Sequence, residues 1–208
     1  CVPISGDVTE RGFNERLLEE AGDVYAVFVN AGHGLDQEMI DCSLDQFRGF
    51  RDLFELNVFA AVELASLAAH RMVENKSGHI LLCASCLSKF ATPQHGAYCA
   101  SKSALEAVAK SMRMELKHSG VHVSSVHPIG TTTEFFQSSA SRSGMLESEL
   151  SSQVPSWSMQ SPDKVAKAVV RCLKKPKPEV WTSLPMRGVS TFFAAFPSFS
   201  QRIIRRFG

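Results

Sequence analysis

Two residues four positions apart, Tyr98 and Lys102, could together exchange a proton with a bound group. Side chains at this spacing share one face of a helix, and the apolar pattern predicts a helix over residues 97–118. A phenol titrates near ~10, and a neighbouring ammonium lowers that pKa by roughly 1 to 3 units. Lys102 would therefore make Tyr98 a usable acid or base. Alone, the pair is a weak signal, since many solvated helix faces carry one by accident.

The elements that must position this pair alternate along the chain. Short, nearly continuous apolar runs are typical of buried strands, and longer stretches with apolar residues at helical spacing lie between them. Such alternation predicts βαβ units, and hence an α/β fold with a doubly wound parallel sheet, in one domain over residues 1–208. The predicted strands cover residues 24–29, 78–84, 121–126 and 179–182. The predicted helices cover residues 10–21, 43–73 (with Ser43 or Asp45 as its cap and Phe47 on its apolar face), 97–118 and 162–173.

Polar residues follow three of the predicted strands. Asn30 follows the first strand, Ser85 the second, and Pro128 comes shortly after the third. Ligands of parallel α/β sheets bind at the carboxyl ends of the strands, so these residues are expected at one edge. Ser85 lies thirteen positions before Tyr98, and Asn57 lies in the first long helix.

This ordered set resembles the short-chain dehydrogenase/reductase family, in its variety with a single Rossmann domain. The likeness runs from Asp7 to about Thr133. It implies that Tyr98 is the proton donor or acceptor, that Lys102 lowers its pKa and holds the nicotinamide ribose, and that Ser85 polarises the substrate carbonyl. Asn57 would anchor a water that relays protons to Lys102.

The resemblance also implies a binding site for NAD or NADP. Asp7 and Val8 match the family's contact to adenine. The turn that lines the cofactor cleft matches Asn30, Ala31 and Gly32. The segment that holds the carboxamide matches Pro128, Ile129, Thr131 and Thr133, although Ile129 replaces the usual glycine.

The front of the chain departs from the family pattern, because no glycine-rich, pyrophosphate-binding turn precedes Asp7. Residues 1–7 resemble the end of a strand. Two βαβ steps of ~30 residues each would then be missing, and on the order of 60 residues are expected upstream. Without the two strands and helices that they contain, we expect the chain to bind cofactor poorly.

Composition excludes several other classes. The 22 Lys and Arg are spread among 21 Asp and Glu, for a net charge of +1, whereas nucleic-acid binders present a basic face. Six cysteines are too sparse for a disulfide framework and indicate reduced thiols in a cytoplasm. No apolar run approaches the ~20 residues that span a bilayer. Cys83-x-x-Cys86 is interpreted as two small core residues, with no metal site.

Two segments beyond Pro128 have a different character. Residues 134–160 are Ser-rich, with Trp157 among their aromatic residues, and are predicted to be a mobile excursion that contacts substrate. Residues 192–207 are aromatic, basic and amphipathic. Since Pro197 interrupts any continuous apolar face, we expect this segment to pack against its own domain or a partner subunit rather than a membrane. His95, three positions before Tyr98, could face substrate, but a loop histidine more often faces solvent, and we interpret it in that way.

The sequence therefore predicts an NAD(P)-dependent oxidoreductase that interconverts a secondary alcohol and a ketone, two small-molecule substrates. Family likeness implies a homodimer or homotetramer. The alternative is a non-catalytic scaffold of the same fold that no longer binds cofactor. An epimerase or dehydratase is disfavoured, because such relatives carry a larger C-terminal domain.

Overall fold

A four-stranded parallel sheet forms the centre of the protein. The computed structural model describes residues 2–42, 49–144 and 159–207. The strands β1 (Ala26–Val29), β2 (Gly78–Cys83), β3 (Val121–His127) and β6 (Glu179–Trp181) lie in the order β1-β2-β3-β6, and every pair is parallel. Two further short strands, β4 (Gly130–Thr131) and β5 (Met159–Gln160), pair with each other. The predicted parallel α/β sheet is confirmed.

Helices connect the strands and cover the sheet. A π-helical turn (Glu55–Ala60) joins two helices into one continuous stretch, and a 3-10 turn (Cys86–Lys89) follows β2. The proposed helix caps Ser43 and Asp45, with Phe47, lie outside the described residues. The helices are α1 (Phe13–Ala21), α2 (Phe50–Phe54), α3 (Ala61–Glu74), α4 (Gly96–Glu115), α5 (Phe135–Ser143), α6 (Pro162–Lys174), α7 (Leu184–Ala195) and α8 (Pro197–Phe207).

The core lies on both faces of β2, whose six residues are all buried. Successive side chains of a strand point to opposite faces. Ile80 and Leu82 accordingly join a cluster with residues of α3 and α4, while Leu81 joins a second cluster with residues of α6. Each fully buried side chain of this size contributes about 1.5 to 3 kcal/mol. Burial on both faces fixes the position of the strand end that leads to Ser85.

The turn between α4 and β3 requires a glycine at position 120. Gly120 has a φ of +81°, and a Cβ added there would lie 2.1 Å from the backbone oxygen of Lys76. Only glycine allows this conformation and this close approach. The predicted stop at Ser119-Gly120 is thus confirmed within a few residues, and it returns the chain to the sheet beside β2.

Two expectations for irregular regions are wrong. Residues 2–6 contain no strand, because no described strand offers them a hydrogen-bonding partner. The stretch after Glu134 is not simply an excursion, since residues 135–143 form α5. Small residues let this helix pack closely, and Phe136, Ser139 and Ala140 are buried. The remainder of the excursion, residues 145–158 with Trp157, lies outside the described residues.

One helical stretch, Phe50–Glu74, is long and apolar enough by length and composition to cross a membrane, with a mean hydropathy of 1.3. The sequence alone predicted no apolar segment long enough to span a bilayer. Half of the most apolar 18-residue segment of this stretch is buried inside the domain, as in the core helix of a globular protein.

Candidate active site

Ser85 lies just beyond the carboxyl end of β2, where it begins the 3-10 turn. Its hydroxyl accepts a hydrogen bond from the Leu87 amide at 3.1 Å. Its carbonyl oxygen accepts from the Ser88 hydroxyl at 2.7 Å and from Nδ1 of His127 at 3.0 Å. These bonds hold the Ser85 peptide in place from two sides.

Tyr98 lies in the first turn of α4, with the Ser85 side chain close enough to its phenol to lower the pKa. Its ring packs edge-on against Phe135, with 5.7 Å between the centroids. Burial raises the pKa of the phenol, and this effect outweighs the lowering by Ser85. The lowering expected from Lys102 is therefore not found. Spacing alone reveals a neighbouring charge but not the loss of water around the phenol. Tyr98 is protonated at neutral pH.

Lys102 lies one turn further along α4 and is buried. Its ammonium donates to the carbonyl oxygen of Cys83 at 2.9 Å and lies 5.8 Å from the centroid of the Tyr98 ring. Burial lowers the pKa of this lysine. Among the described residues it has no carboxylate partner, and its amine lies between the strand end and the phenol ring.

Asn57 links the turn after β1 to α4. Its Oδ1 accepts from the His33 amide, and its Nδ2 donates to the His33 carbonyl oxygen, both at 3.0 Å. Nδ2 also donates to the Ser101 hydroxyl at 3.1 Å. Asn57 belongs to the π-helical turn, a distortion often found at functional sites.

The absence of a side chain at Gly32 lets Asn57 and Lys102 lie close to the backbone there. A Cβ added at Gly32 would lie 2.8 Å from Oδ1 of Asn57 and 3.3 Å from Nζ of Lys102. A side chain here would therefore collide with the asparagine and crowd the lysine. The four predicted catalytic residues Asn57, Ser85, Tyr98 and Lys102 thus lie near one another at one end of the sheet.

An open cleft of about 200 Å³ lies beside β1, on the sheet edge where the predicted cofactor residues cluster. Val8, Asn30 and Ala31 line it, with apolar residues of the Leu56–Leu64 stretch. Gly32, which follows Ala31 in the chain, lies next to Asn57 and Lys102. Asp7 is exposed, and its carboxylate accepts from the Thr9 amide at 2.9 Å and the Thr9 hydroxyl at 2.8 Å. These bonds lower the pKa of Asp7.

The segment after β3 lies beside Ser85, since the Pro128 carbonyl oxygen accepts from the Cys86 amide at 3.0 Å. Ile129 is buried and is not among the residues with a positive φ, so its backbone does not need the family's glycine. The Thr131 hydroxyl donates to the Ile129 carbonyl oxygen at 2.8 Å. Thr133 is exposed at the start of α5, where its hydroxyl accepts from the Phe135 amide at 3.3 Å.

One ion pair near Tyr98 was missed. Nε2 of His95 lies 2.8 Å from Oδ1 of the buried Asp36, and this contact raises the pKa of the histidine. The interpretation of His95 as a solvent-facing residue is therefore wrong. No sequence signal joins the two residues, because they lie on loops brought together only by folding.

A buried charged cluster lies on the other side of Ser85. The ammonium of Lys89 bonds to Glu106 and, at 2.9 Å, to Glu179, while Lys110 bonds to Glu106 at 2.6 Å. Burial opposes ionisation, but these bonds lower the pKa of both glutamates, that of Glu179 to about 2. Glu106, His127 and Glu179 have the spacing of a metal site. The ammonium groups of Lys89 and Lys110 together balance the charge of the two carboxylates.

Comparison with known proteins identifies the family. The family model for short chain dehydrogenase matches residues 1–144, so the chain belongs to that family. It is 34% identical over 131 residues to the uncharacterized oxidoreductase YbbO of Escherichia coli, covering 63% of this chain and 48% of that protein. It is 33% identical over 128 residues to the dehydrogenase/reductase SDR family protein 7-like of Drosophila melanogaster, covering 62% of this chain and 39% of that protein.

Solved structures share the fold. A short chain dehydrogenase from Burkholderia cenocepacia, in complex with NADP, has a TM-score of 0.78 at 22% identity over 98% of this chain and 78% of that one. One from Sphingobium yanoikuyae, in complex with NADPH, has a TM-score of 0.73 at 21% identity, over 96% and 73%. The chain spans about half or less of the length of the two curated relatives.

Proposed function

We propose that this chain provides the catalytic centre of an NAD(P)-dependent oxidoreductase that interconverts a secondary alcohol and a ketone. The observation that carries the proposal is the convergence of Ser85, Tyr98 and Lys102. The Ser85 side chain lies close enough to the Tyr98 phenol to lower its pKa, and the amine of the buried Lys102 lies 5.8 Å from the centroid of the phenol ring.

The chemistry follows from the states of these groups. A ketone oxygen bound near the hydroxyls of Ser85 and Tyr98 would accept hydrogen bonds from both, which polarises the carbonyl. Since the phenol is protonated, Tyr98 donates its proton to the oxygen as negative charge develops there. The nearby Lys102 ammonium stabilises the resulting phenolate. In the reverse direction the phenolate removes the alcohol proton.

The cofactor proposal rests on the cleft beside β1 and on solved relatives that contain NADP and NADPH. When bound, the nicotinamide supplies or accepts the hydride at the substrate carbon. Lys102 would hold the ribose, with Asn30, Ala31 and Gly32 along the cleft. Pro128, Ile129, Thr131 and Thr133 would contact the carboxamide, and Asp7 and Val8 the adenine. We also propose that Asn57 anchors a water that relays protons to Lys102. The proposed substrate is a small-molecule ketone or alcohol.

The test follows nicotinamide absorbance with a panel of ketones and secondary alcohols, using the product of the complete reading frame. We expect oxidation of NADH or NADPH that depends on a ketone. Fluorescence titration with NADH and with NADPH tests the alternative, in which the protein is a scaffold that binds no cofactor. A folded protein that binds neither cofactor would be a non-catalytic scaffold, whereas one that binds without turnover on any panel member would contradict the proposed reaction.

A further inference from the structure

The last two helices present an apolar surface that the described part of the domain leaves uncovered. One face of α7 packs inward, where the Ser190 hydroxyl donates to the Cys86 carbonyl oxygen at 3.1 Å and Phe193 packs edge-on against Phe90. Val189, Phe192 and Phe196 lie three and four positions apart and form the outer face. We call the surface formed by Val189, Phe192, Phe196 and Phe199 the phenylalanine patch.

Pro197 folds this patch rather than dividing it. The proline ends α7 and starts α8, and the bend brings Phe199 of α8 against Phe192 of α7, with 5.8 Å between ring centroids. Phe196 lies 5.0 Å from the same ring. Phe192, Phe196 and Phe199 are nevertheless 44%, 55% and 53% exposed. A contiguous apolar patch of this kind marks an interaction surface.

The charged side chains of residues 180–208, which include the last two helices, all have one sign. Residues 180–208 contain no Asp or Glu, but they contain four arginines, all of them exposed. Arg202 and Arg206 lie one and two helical turns after Phe199, on the same face of α8. Among the described residues none of the four has a carboxylate partner. The acidic residues that balance the net charge lie elsewhere in the chain. The four arginines are Arg187, Arg202, Arg205 and Arg206.

These observations favour one kind of binding partner for the phenylalanine patch over another. A second copy that used the same patch would bring eight arginines together, and residues 180–208 of neither copy offer an acidic side chain to pair with them, which opposes association. An anionic lipid surface satisfies both features, since phenyl rings enter the boundary between headgroups and acyl chains while arginine side chains extend to the phosphates.

We propose that the phenylalanine patch and its four arginines bind the protein to the surface of an anionic membrane. The proposal departs from the expectation that this segment packs against its own domain or a partner subunit rather than a membrane. The patch adjoins the turn after Ser85 through Ser190 and Phe193. Membrane binding therefore leaves the candidate active site at the lipid surface, and it does not depend on whether that site is catalytic.

The test is co-sedimentation of the full chain with vesicles. We expect binding to phosphatidylcholine mixed with phosphatidylserine at low salt, little binding to pure phosphatidylcholine, and release at high salt. The variant F192S/F196S/F199S should stay in the supernatant. The variant R202Q/R206Q should bind more weakly, by about fivefold for each arginine removed.

Matched controls change equally exposed residues elsewhere. F59S/M114S/I40S removes three exposed apolar side chains, and K164Q/K167Q removes two exposed charges on α6. Both should sediment like the parent. If circular dichroism shows that the triple phenylalanine variant is unfolded, the arginine variant and its lysine control decide the test.

Three results would overturn the proposal. The parent could remain in the supernatant with anionic vesicles at low salt. Either control could lose binding as much as its matched patch variant. The patch could instead hold a dimer, which sedimentation velocity would show as a dimer of the parent that the phenylalanine variant disperses.

Discussion

Two lysines near Ser85, the buried Lys102 and the half-buried Lys89, have different surroundings. The Lys89 ammonium bonds to Glu106 and Glu179, and these bonds raise its pKa although burial alone would lower it. The Lys102 ammonium bonds to the carbonyl oxygen of Cys83 and to no described carboxylate, and burial lowers its pKa. Carboxylates neutralise the charge of Lys89, whereas no described carboxylate pairs with Lys102.

The difference separates a structural charge from a functional one. A buried charge with paired partners adds order but little net stability, whereas an unpaired buried charge costs free energy that the rest of the fold must offset. Perturbed groups of the second kind are concentrated at active sites. Lys102 is therefore expected to matter for turnover and Lys89 for folding.

The largest expected effect is on turnover in Lys102→Met. Without the ammonium, the Tyr98 phenolate is no longer stabilised, and turnover should fall by about 10²- to 10⁴-fold. The free energy of unfolding should be unchanged or higher, since an apolar chain of similar length replaces an unpaired charge. Steady-state kinetics and urea unfolding measure the two effects. A large loss of stability with turnover intact would reverse the roles assigned to the two lysines.

Lys89→Met should show the opposite behaviour. It leaves Glu179 without the ammonium and Glu106 with only Lys110 and Ser88, so the free energy of unfolding should fall by about 3 kcal/mol. Turnover per folded molecule should stay within a few fold of the parent. Lys110→Met is the control, because this half-exposed side chain contributes about 0 to 1 kcal/mol. Equal losses in the two variants would show that burial does not determine the strength of these pairs.

A glycine pair tests how tightly the Lys102 region is packed. Gly32→Ala should lower the free energy of unfolding by about 1 to 3 kcal/mol, because its Cβ collides with Asn57 beside the lysine. Gly188→Ala, in α7 with nothing within 4 Å of its Cβ, should raise it by about 0.5 to 1 kcal/mol. Thermal unfolding compares the two. Stabilisation by both substitutions would mean that the space next to Lys102 is open.

The smallest effect concerns the acid side of the stability curve. Glu106 and Glu179 have lowered pKa values when folded, so their contribution is present above the ordinary value of 4.5 and is lost as the pH falls towards the folded values, about 2 for Glu179. Urea unfolding between these limits should be less pH-dependent in Glu179→Gln than in the parent. The exposed Glu10→Gln is the control. A parent curve that is flat below pH 4.5 would contradict the pairing.

Local patterns were sufficient to predict the strands and the Tyr98–Lys102 pair. An apolar run reports a buried strand, and residues four apart on a helix must share a face. The cluster of Lys89, Glu106 and Glu179 was not predictable in this way, since its members come from different elements and meet only when the sheet forms. The direction of the Tyr98 pKa shift was missed for the same reason, because spacing does not reveal how much water surrounds a side chain. Helix α5 was missed because a Ser-rich sequence has little helical periodicity.

The most direct test compares the two tyrosines of the chain, Tyr98 and the half-exposed Tyr25. Turnover and cofactor affinity should be measured for Tyr98→Phe and Tyr25→Phe with the same ketone. If Tyr98 transfers the proton, Tyr98→Phe should lower turnover by at least about 10²-fold with cofactor binding retained, and Tyr25→Phe should behave like the parent. Undiminished turnover in Tyr98→Phe would contradict the assignment of the catalytic centre.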